Sequence, residues 1–193
     1  MYRFLRLIPL IVALPAIAQL TGCAIVAGAG LATGAVATTD RRTTGTFIDD
    51  EIIEFKVLNR IRTQSDLWEQ SHVNATSFNN IVLLTGETPS SAFKTRISQA
   101  AASISKVRNV HDELAIAAPS SMLARTSDTW VTGKVKTILL SEMQMDGTRV
   151  KVVTEKGIVY LMGLVSNAEA DKATELTRRV GGVERVVRLF ELN

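Results

Sequence analysis

Two stretches decide the fold of this chain: Asn79-Asn80-Ile81-Val82-Leu83-Leu84-Thr85-Gly86 and Lys156-Gly157-Ile158-Val159-Tyr160-Leu161-Met162-Gly163. Each begins with a turn-forming pair, continues as an apolar run and ends on glycine. Upstream, Val73-Asn74-Ala75 corresponds to Val150-Lys151-Val152. The spacing between equivalents barely drifts: Val57 to Val135 is 78, Gly86 to Gly163 is 77 and Val110 to Val186 is 76. Residues 127–192 therefore repeat residues 49–115 with almost no gaps, and an internal period of this kind governs architecture.

The second copy reads as α-β-β-α-β. Ser127 or Asp128 is placed to cap a helix on which Val131, Val135, Ile138 and Leu139 form one apolar stripe. Arg149–Thr154 and Ile158–Val165 read as a hairpin around Lys156-Gly157. Ser166 and Glu169 make a capping-box pattern. The helix that follows sets Ala170, Ala173, Thr177 and Val180 inward and stops at Gly181-Gly182, before a last strand over Val183–Leu192. The first copy has the same order. Its first helix spans Asp50–Ile61 with Ile53, Val57 and Ile61 inward, its hairpin runs from Val73 to Thr85, Ser90 follows Pro89 at the second helix, and Val107–Ala115 is the last strand. The expected class is α+β: two tandem modules, each a small three-stranded mixed sheet packed on two helices. Modules of about 65 residues have modest cores and lean on one another.

The 193 residues carry a formal charge of +3, of which Arg3 and Arg6 supply two. Residues 49–115 sum to −2 and residues 127–193 to +1. That balance lacks the concentrated basic face of a nucleic-acid binder. Cys23 is the single cysteine, so no internal disulfide forms.

Arg3 and Arg6 precede an apolar stretch, Leu7–Ala18, which is the pattern of a secretory signal and short for a membrane span. Leu20-Thr21-Gly22-Cys23 follows. This string resembles the bacterial lipobox, which implies cleavage before Cys23, lipid on its sulfur and, with Ala24 next, sorting to the outer membrane. Several acyl chains at about 0.8 kcal/mol per buried methylene make a lasting anchor. The competing reading is an uncleaved signal anchor extended by residues 24–37. Gly28, Gly30 and Gly34 imitate a dinucleotide fingerprint, but without the preceding strand and with the wrong spacing, so they read as a small-residue tether. The expected divisions are a signal peptide (1–22), lipidated terminus and tether (23–46), first module (47–116), linker (117–126) and second module (127–193).

The string Gly157–Val165, then a helix, then Val183-Glu184-Arg185-Val186, resembles the BON domain, a module of envelope and osmotic-stress proteins thought to bind phospholipid. Lipobox, tether, two modules and Asp128-Thr129-Trp130 together resemble the dual-BON outer-membrane lipoproteins of the DolP family. The resemblance implies a non-enzymatic lipoprotein that is lipid-anchored in the outer membrane with its modules facing the periplasm. It also implies binding of anionic phospholipid and support of envelope integrity, with division sites as one place of action. No cofactor beyond the covalent lipid is implied. The alternative is a protein-interaction scaffold for outer-membrane assembly or cell-division components. The first copy departs from the second at Asn80, against Gly157, and at Ile52, against Trp130, so a role tied to Trp130 belongs to the second module. The sequence does not fix the oligomeric state.

Trp130 lies off the core stripe with Lys134 one turn on, an arrangement that suits a headgroup zone. The competing role is packing against the first module or a loop. Val131, Thr132, Gly133 and Lys136 are neighbouring candidates for the same contact. Gly133 costs about 1 kcal/mol relative to alanine inside a helix, which suggests close approach of another group. His72 and His111 lack the convergent partners of a metal site, and Trp68 reads as packing. Asp49-Asp50-Glu51 reads as an acidic helix start, favourable at the positive end of the dipole.

Overall fold

The computed structural model describes residues 42–119 and 121–193. The lipobox, Cys23 and the tether to Arg41 lie outside them. The first module comprises α1 (Thr44–Arg62), α2 (Ser65–Gln70), β1 (His72–Phe78), β2 (Ile81–Thr88), α3 (Ser91–Ala102), β3 (Asn109–Asp112) and β4 (Ala115–Ile116). The second comprises α4 (Met122–Ser141), a 3-10 turn at Gly147–Arg149, β5 (Val150–Glu155), β6 (Ile158–Val165), α5 (Asn167–Arg178) and β7 (Arg185–Leu192). In both, an antiparallel hairpin pairs with a last parallel strand, so the hairpin's second strand is central. The expected α+β class and twin architecture hold.

The glycines that marked the repeat have a shared cause. Val73 pairs with Gly86 and Val150 with Gly163. A Cβ at Gly86 would stand 2.0 Å from the carbonyl oxygen of His72, and one at Gly163 would stand 2.7 Å from that of Arg149. Neither hairpin has room for a side chain there.

Both first helices start earlier than the sequence suggests. Thr43 caps α1 and Ser121 caps α4, each through its side-chain oxygen. Ser127 and Asp128 are thus interior positions, and Met122-Leu123-Ala124-Arg125-Thr126 is helix where a linker was expected. Several of these residues are good helix formers. The last strand of the first module breaks at Glu113-Leu114. Asp112 Oδ1 accepts the Leu114 N–H at 3.2 Å, and Leu114 turns into the core at 2% exposure.

The turn between β1 and β2, and that between β5 and β6, are each held by one carboxylate. Asp50 sits inside α1 and accepts from the backbone N–H of Asn79 and of Asn80, both at 2.8 Å, and from Ser77 Oγ at 2.6 Å. Asp128, its equivalent in α4, accepts from Lys156 N at 2.8 Å and Gly157 N at 2.9 Å. All four turn residues have positive φ: 51° and 64° in the first hairpin, 50° and 71° in the second. That is the conformation of a tight hairpin loop favoured by Asn and Gly. The carboxylate ties this loop to the helix lying over it, so Asp50 is a buried clamp and not a dipole residue of the helix start.

The helices cover one face of each sheet. Ile53, Val57, Ile61, Val82, Leu84, Ile97 and Ala101 build the first core; Val131, Val135, Leu139, Val152, Val159, Leu161 and Ala173 build the second. The other faces meet each other. Phe78, Leu83, Tyr160 and Met162 form a third buried cluster, joined by Val153, Val187 and Leu189. The layers run helices, sheet, sheet, helices. A central strand between two layers is buried on both sides, which is why β2 and β6 are continuous apolar runs.

Polar groups close the rim of this sheet-to-sheet contact. Lys151 Nζ meets Glu54 Oε1 at 2.7 Å and the Ser77 carbonyl at 3.0 Å. Lys156 Nζ meets Glu87 Oε1, which is fully buried, at 2.8 Å. Glu191 receives Asn79 Nδ2 at 2.6 Å and Arg108 Nη2 at 2.9 Å. Burial, together with the nearby Glu113 carboxylate, pushes the Tyr160 phenol up to about 12.

Candidate functional site

The candidate residues lie on α4, a helix of 20 residues and about 30 Å. Its inward stripe is Val131, Val135 and Leu139. Trp130 projects from the other side and is 71% exposed. It does not pack against the first module or a loop, which removes the competing role. Gly133 and Thr137 follow it at i+3 and i+7 and are exposed, and Leu123 precedes it by seven. Leu123, Leu140 and Met143 are exposed at 81%, 59% and 97%. The outward face of α4 is thus apolar at both ends and aromatic in the middle. Sequence reasoning missed Leu123 because it placed the helix cap at Ser127 or Asp128, six or seven residues after Ser121.

The structure divides the expected neighbours. Val131 is a core residue, 3% exposed, and is removed from any surface contact. Its Cγ2 would stand 2.9 Å from a Cβ added at Gly182. Thr132 turns to the opposite flank and donates to Thr154 Oγ1 at 2.7 Å. Gly133 sits on the outward face, and an added Cβ would meet nothing within 4 Å, so no packing inside the chain requires glycine there. Lys134 flanks Trp130, but its ammonium donates to the Gly181 carbonyl beyond the end of α5. Lys136 is exposed.

Behind the flank carrying Thr132 lies a cleft of about 340 Å³ between the modules, lined among others by His72, Asn74, Arg125, Thr129 and Glu155. Burial holds the His72 imidazole below its usual range. Burial, and then the Glu87 carboxylate, push the Glu155 carboxyl up, while Asn74 Nδ2 donates to it at 3.2 Å. Among the described residues no grouping of His, Cys, Asp and Glu could hold a metal ion. His111 lies in β3, half-buried, away from the α4 face. Trp68 sits on α2 under the Arg62 guanidinium, 4.6 Å from its ring centre. No helix among the described residues is long and apolar enough to cross a membrane.

Two copies of one sequence pattern, two turn clamps and two equivalent sheets coincide with the BON domain, matched over residues 49–118 and again over 127–193. The chain belongs to the BON-domain family. Among BON relatives it is similar to "Outer membrane lipoprotein DolP" of Haemophilus influenzae, with 36% identity over 89% of each chain. It is also similar to a "21 kDa hemolysin" of Actinobacillus pleuropneumoniae, with 33% identity over 78% of each chain. The Escherichia coli "Osmotically-inducible protein Y" is 29% identical over 74% of this chain and 72% of its own length. The two-module layout is that of the dual-BON lipoprotein family.

Proposed function

We propose that this chain is an outer-membrane lipoprotein held by lipid on Cys23, whose second module docks onto anionic phospholipid and supports envelope integrity. The observation that carries this reading is Trp130, 71% exposed on a helix whose outward face also presents Leu123 and Leu140. Laid in a bilayer interface, such a helix sinks its apolar face while cations stay near the headgroups. Lys136 and, once released from Gly181, Lys134 are the flanking cations. The similarity to DolP supports the anchor and the location. In this reading the protein binds and positions and performs no reaction, and its modules face the periplasm.

The test is co-sedimentation of residues 37–193, which carry both modules, with neutral and anionic vesicles while tryptophan emission is followed. Binding to anionic vesicles with a blue shift that disappears in Trp130→Phe supports the reading. An unshifted spectrum in a vesicle-bound sample rules out Trp130 as the inserting residue. Mass spectrometry of the membrane-extracted protein tests the anchor, because the mature peptide should start at an acylated Cys23. A second reading, a scaffold for other envelope proteins such as assembly or division components, is favoured by a separate apolar face on α1.

A further inference from the structure

We infer that the outer edge of β7 takes an extended peptide that runs antiparallel to it and ends in a free carboxylate, bound between Arg178 and Arg185. In the second sheet β7 pairs only with β6, so it is an edge strand. It runs unbroken for eight residues, Arg185–Leu192, none of them buried. Alternate residues of such a strand turn their N–H and C=O groups away from the sheet, where a further strand can pair. The equivalent edge of the first module is blunted. There β3 has four residues and β4 two, and the Leu114 carbonyl between them accepts from Lys94 Nζ at 2.7 Å. Short, interrupted edges protect a sheet against strand pairing. β7 has no such interruption.

Charge identifies the occupant and its direction. Most ions around this edge are satisfied within the chain. Arg188 meets Asp171 Oδ1 at 2.8 Å, Arg179 pairs with Glu175, and Glu191 is held by Arg108 and Asn79. Arg178, in the last turn of α5, and Arg185, the first residue of β7, are exposed and enter no ion pair among the described residues. Both line a cavity of about 270 Å³ at the start of the strand, to which β6 contributes no residue. Glu184 lines it as well and is likewise outside any ion pair, which leaves two cations to one acid. A carboxylate suits this excess, because guanidinium groups bind it through charge-assisted, bidentate hydrogen bonds. The terminal carboxylate is the one placed to reach it. Side chains of a paired strand point above or below the sheet, whereas its last carboxylate continues along the strand into the space past its end. An antiparallel strand brings its C-terminus to the start of β7, beside Arg185. A parallel strand would bring its ammonium there, against two guanidinium groups. Addition of a peptide to a sheet edge and capture of its end group are both recurring recognition modes. The site lies apart from Trp130 and does not depend on the lipid reading.

The experiment presents the full-length chain, in detergent micelles, with octapeptides of mixed Val, Ile, Thr and Tyr sequence. They carry a fluorophore on the N-terminus and end in either a free carboxylate or an amide. Anisotropy should show the carboxylate pool binding about tenfold more tightly, the scale of a hydrogen bond to a charged group. Arg178→Gln and Arg185→Gln should each remove most of that preference. Both positions are exposed, so circular dichroism should stay unchanged. Glu184→Gln should strengthen binding by about twofold, the scale of an exposed charge contact. Hydrogen exchange should show alternate β7 amides becoming protected on binding, with β3 unaffected. No binding by either pool at millimolar peptide overturns the proposal. So does equal affinity of the two pools, a preference that survives both arginine substitutions, or protection that spares β7. A free chain already dimeric with its β7 amides protected also overturns it, because a second copy then holds the edge. Trp130→Glu should leave peptide binding unchanged, so a failure of the lipid reading would appear in vesicle binding and not here.

Discussion

Where the second module shows Trp130 to solvent, the first shows Ile52; where the second has Gly133, the first has Phe55. One turn inward the two helices agree: Ile53 matches Val131, Val57 matches Val135, and Asp50 matches Asp128. Inward positions answer to the same packing and the same hairpin clamp, so they stayed alike. Outward positions answer only to what each module touches, and there the copies parted. The comparison assigns the shared fold to the inward residues and the difference in partners to the outward ones.

The sharpest way to break this comparison is to remove the shared clamps. Asp50, 1% exposed, holds two backbone N–H groups, Ser77 and the Arg42 guanidinium at 2.7 Å. Asp128 holds two N–H groups. Asp50→Ala should cost about 3–5 kcal/mol, as breaking a buried charge pair does. Asp128→Ala should cost about 2 kcal/mol, the scale of buried donors left without an acceptor. Urea unfolding of residues 37–193 measures both. Equal costs, or a negligible one at Asp128, would mean that the two turns are not held alike.

The outward positions should behave oppositely. Trp130→Glu removes the indole from the headgroup zone and adds repulsion, so affinity for anionic vesicles should fall about tenfold or more, the effect of roughly 1.4 kcal/mol. Ile52→Glu should change it by less than about twofold on the same scale. Neither should move the unfolding midpoint much, because exposed substitutions lie within about 0.5 kcal/mol. If Ile52→Glu weakened vesicle binding as much as Trp130→Glu, the modules would share the lipid surface and the assigned division would fall.

The turn residues offer a smaller contrast. Asn80 and Gly157 occupy the same left-handed position, at φ 64° and 71°. Asn tolerates that conformation and Gly adopts it freely, whereas alanine pays about 1 kcal/mol. Gly157→Ala should therefore lower stability by about that much, and Gly157→Asn by little. A Cβ at Gly157 would stand 2.9 Å from Glu184 Cγ, an exposed side chain able to move aside. Equal losses for Asn and Ala would show that space, not φ, makes glycine necessary there.

Much of this molecule was legible in the sequence because the repeat reports the same constraints twice. Gly86 and Gly163, the Ser166 capping box, and the inward stripes all follow from local rules that the structure meets. The helix starts were not legible. Ser127-Asp128 looks like a cap, and only the hairpin turn 28 residues downstream reveals that the aspartate is used there. Val131 was assigned to both core and surface, and burial resolved it to the core. The sheet-to-sheet contact was hidden for a similar reason. Leu83, Tyr160 and Met162 announce strands buried on both faces, but not which surface covers the second face. Lys134 reads in the sequence as a cation one turn from Trp130, and its bond to Gly181 depends on a segment 47 residues away.

The smallest expected effect concerns Glu155, whose counterpart in the first module is the buried Phe78. A phenyl ring fills that place in one copy and a carboxyl in the other. Glu155 is 8% exposed; burial and the neighbouring Glu87 raise its pKa above the ordinary 4.5, while the hydrogen bond from Asn74 pulls it down. Asp128 also raises it, Lys156 lowers it, and His72 and Arg125 line the same cleft. The sign follows from proton counting. Between the unfolded value and the raised folded value, the native state binds more protons than the unfolded one, so stability declines as pH rises through that window. Above the raised folded value the carboxylate is charged in both states and its burial penalty stands in full. Glu155→Gln keeps the size and an acceptor for Asn74 but removes the charge. It should raise the unfolding midpoint slightly at pH 7, and its advantage should shrink as pH falls through the raised folded value towards 4.5. Thermal melts of the two proteins at matched pH give the difference directly. A glutamine variant less stable at pH 7, or a gap that widens on acidification, would mean that the charge itself holds the modules together through Lys156 and the cleft cations.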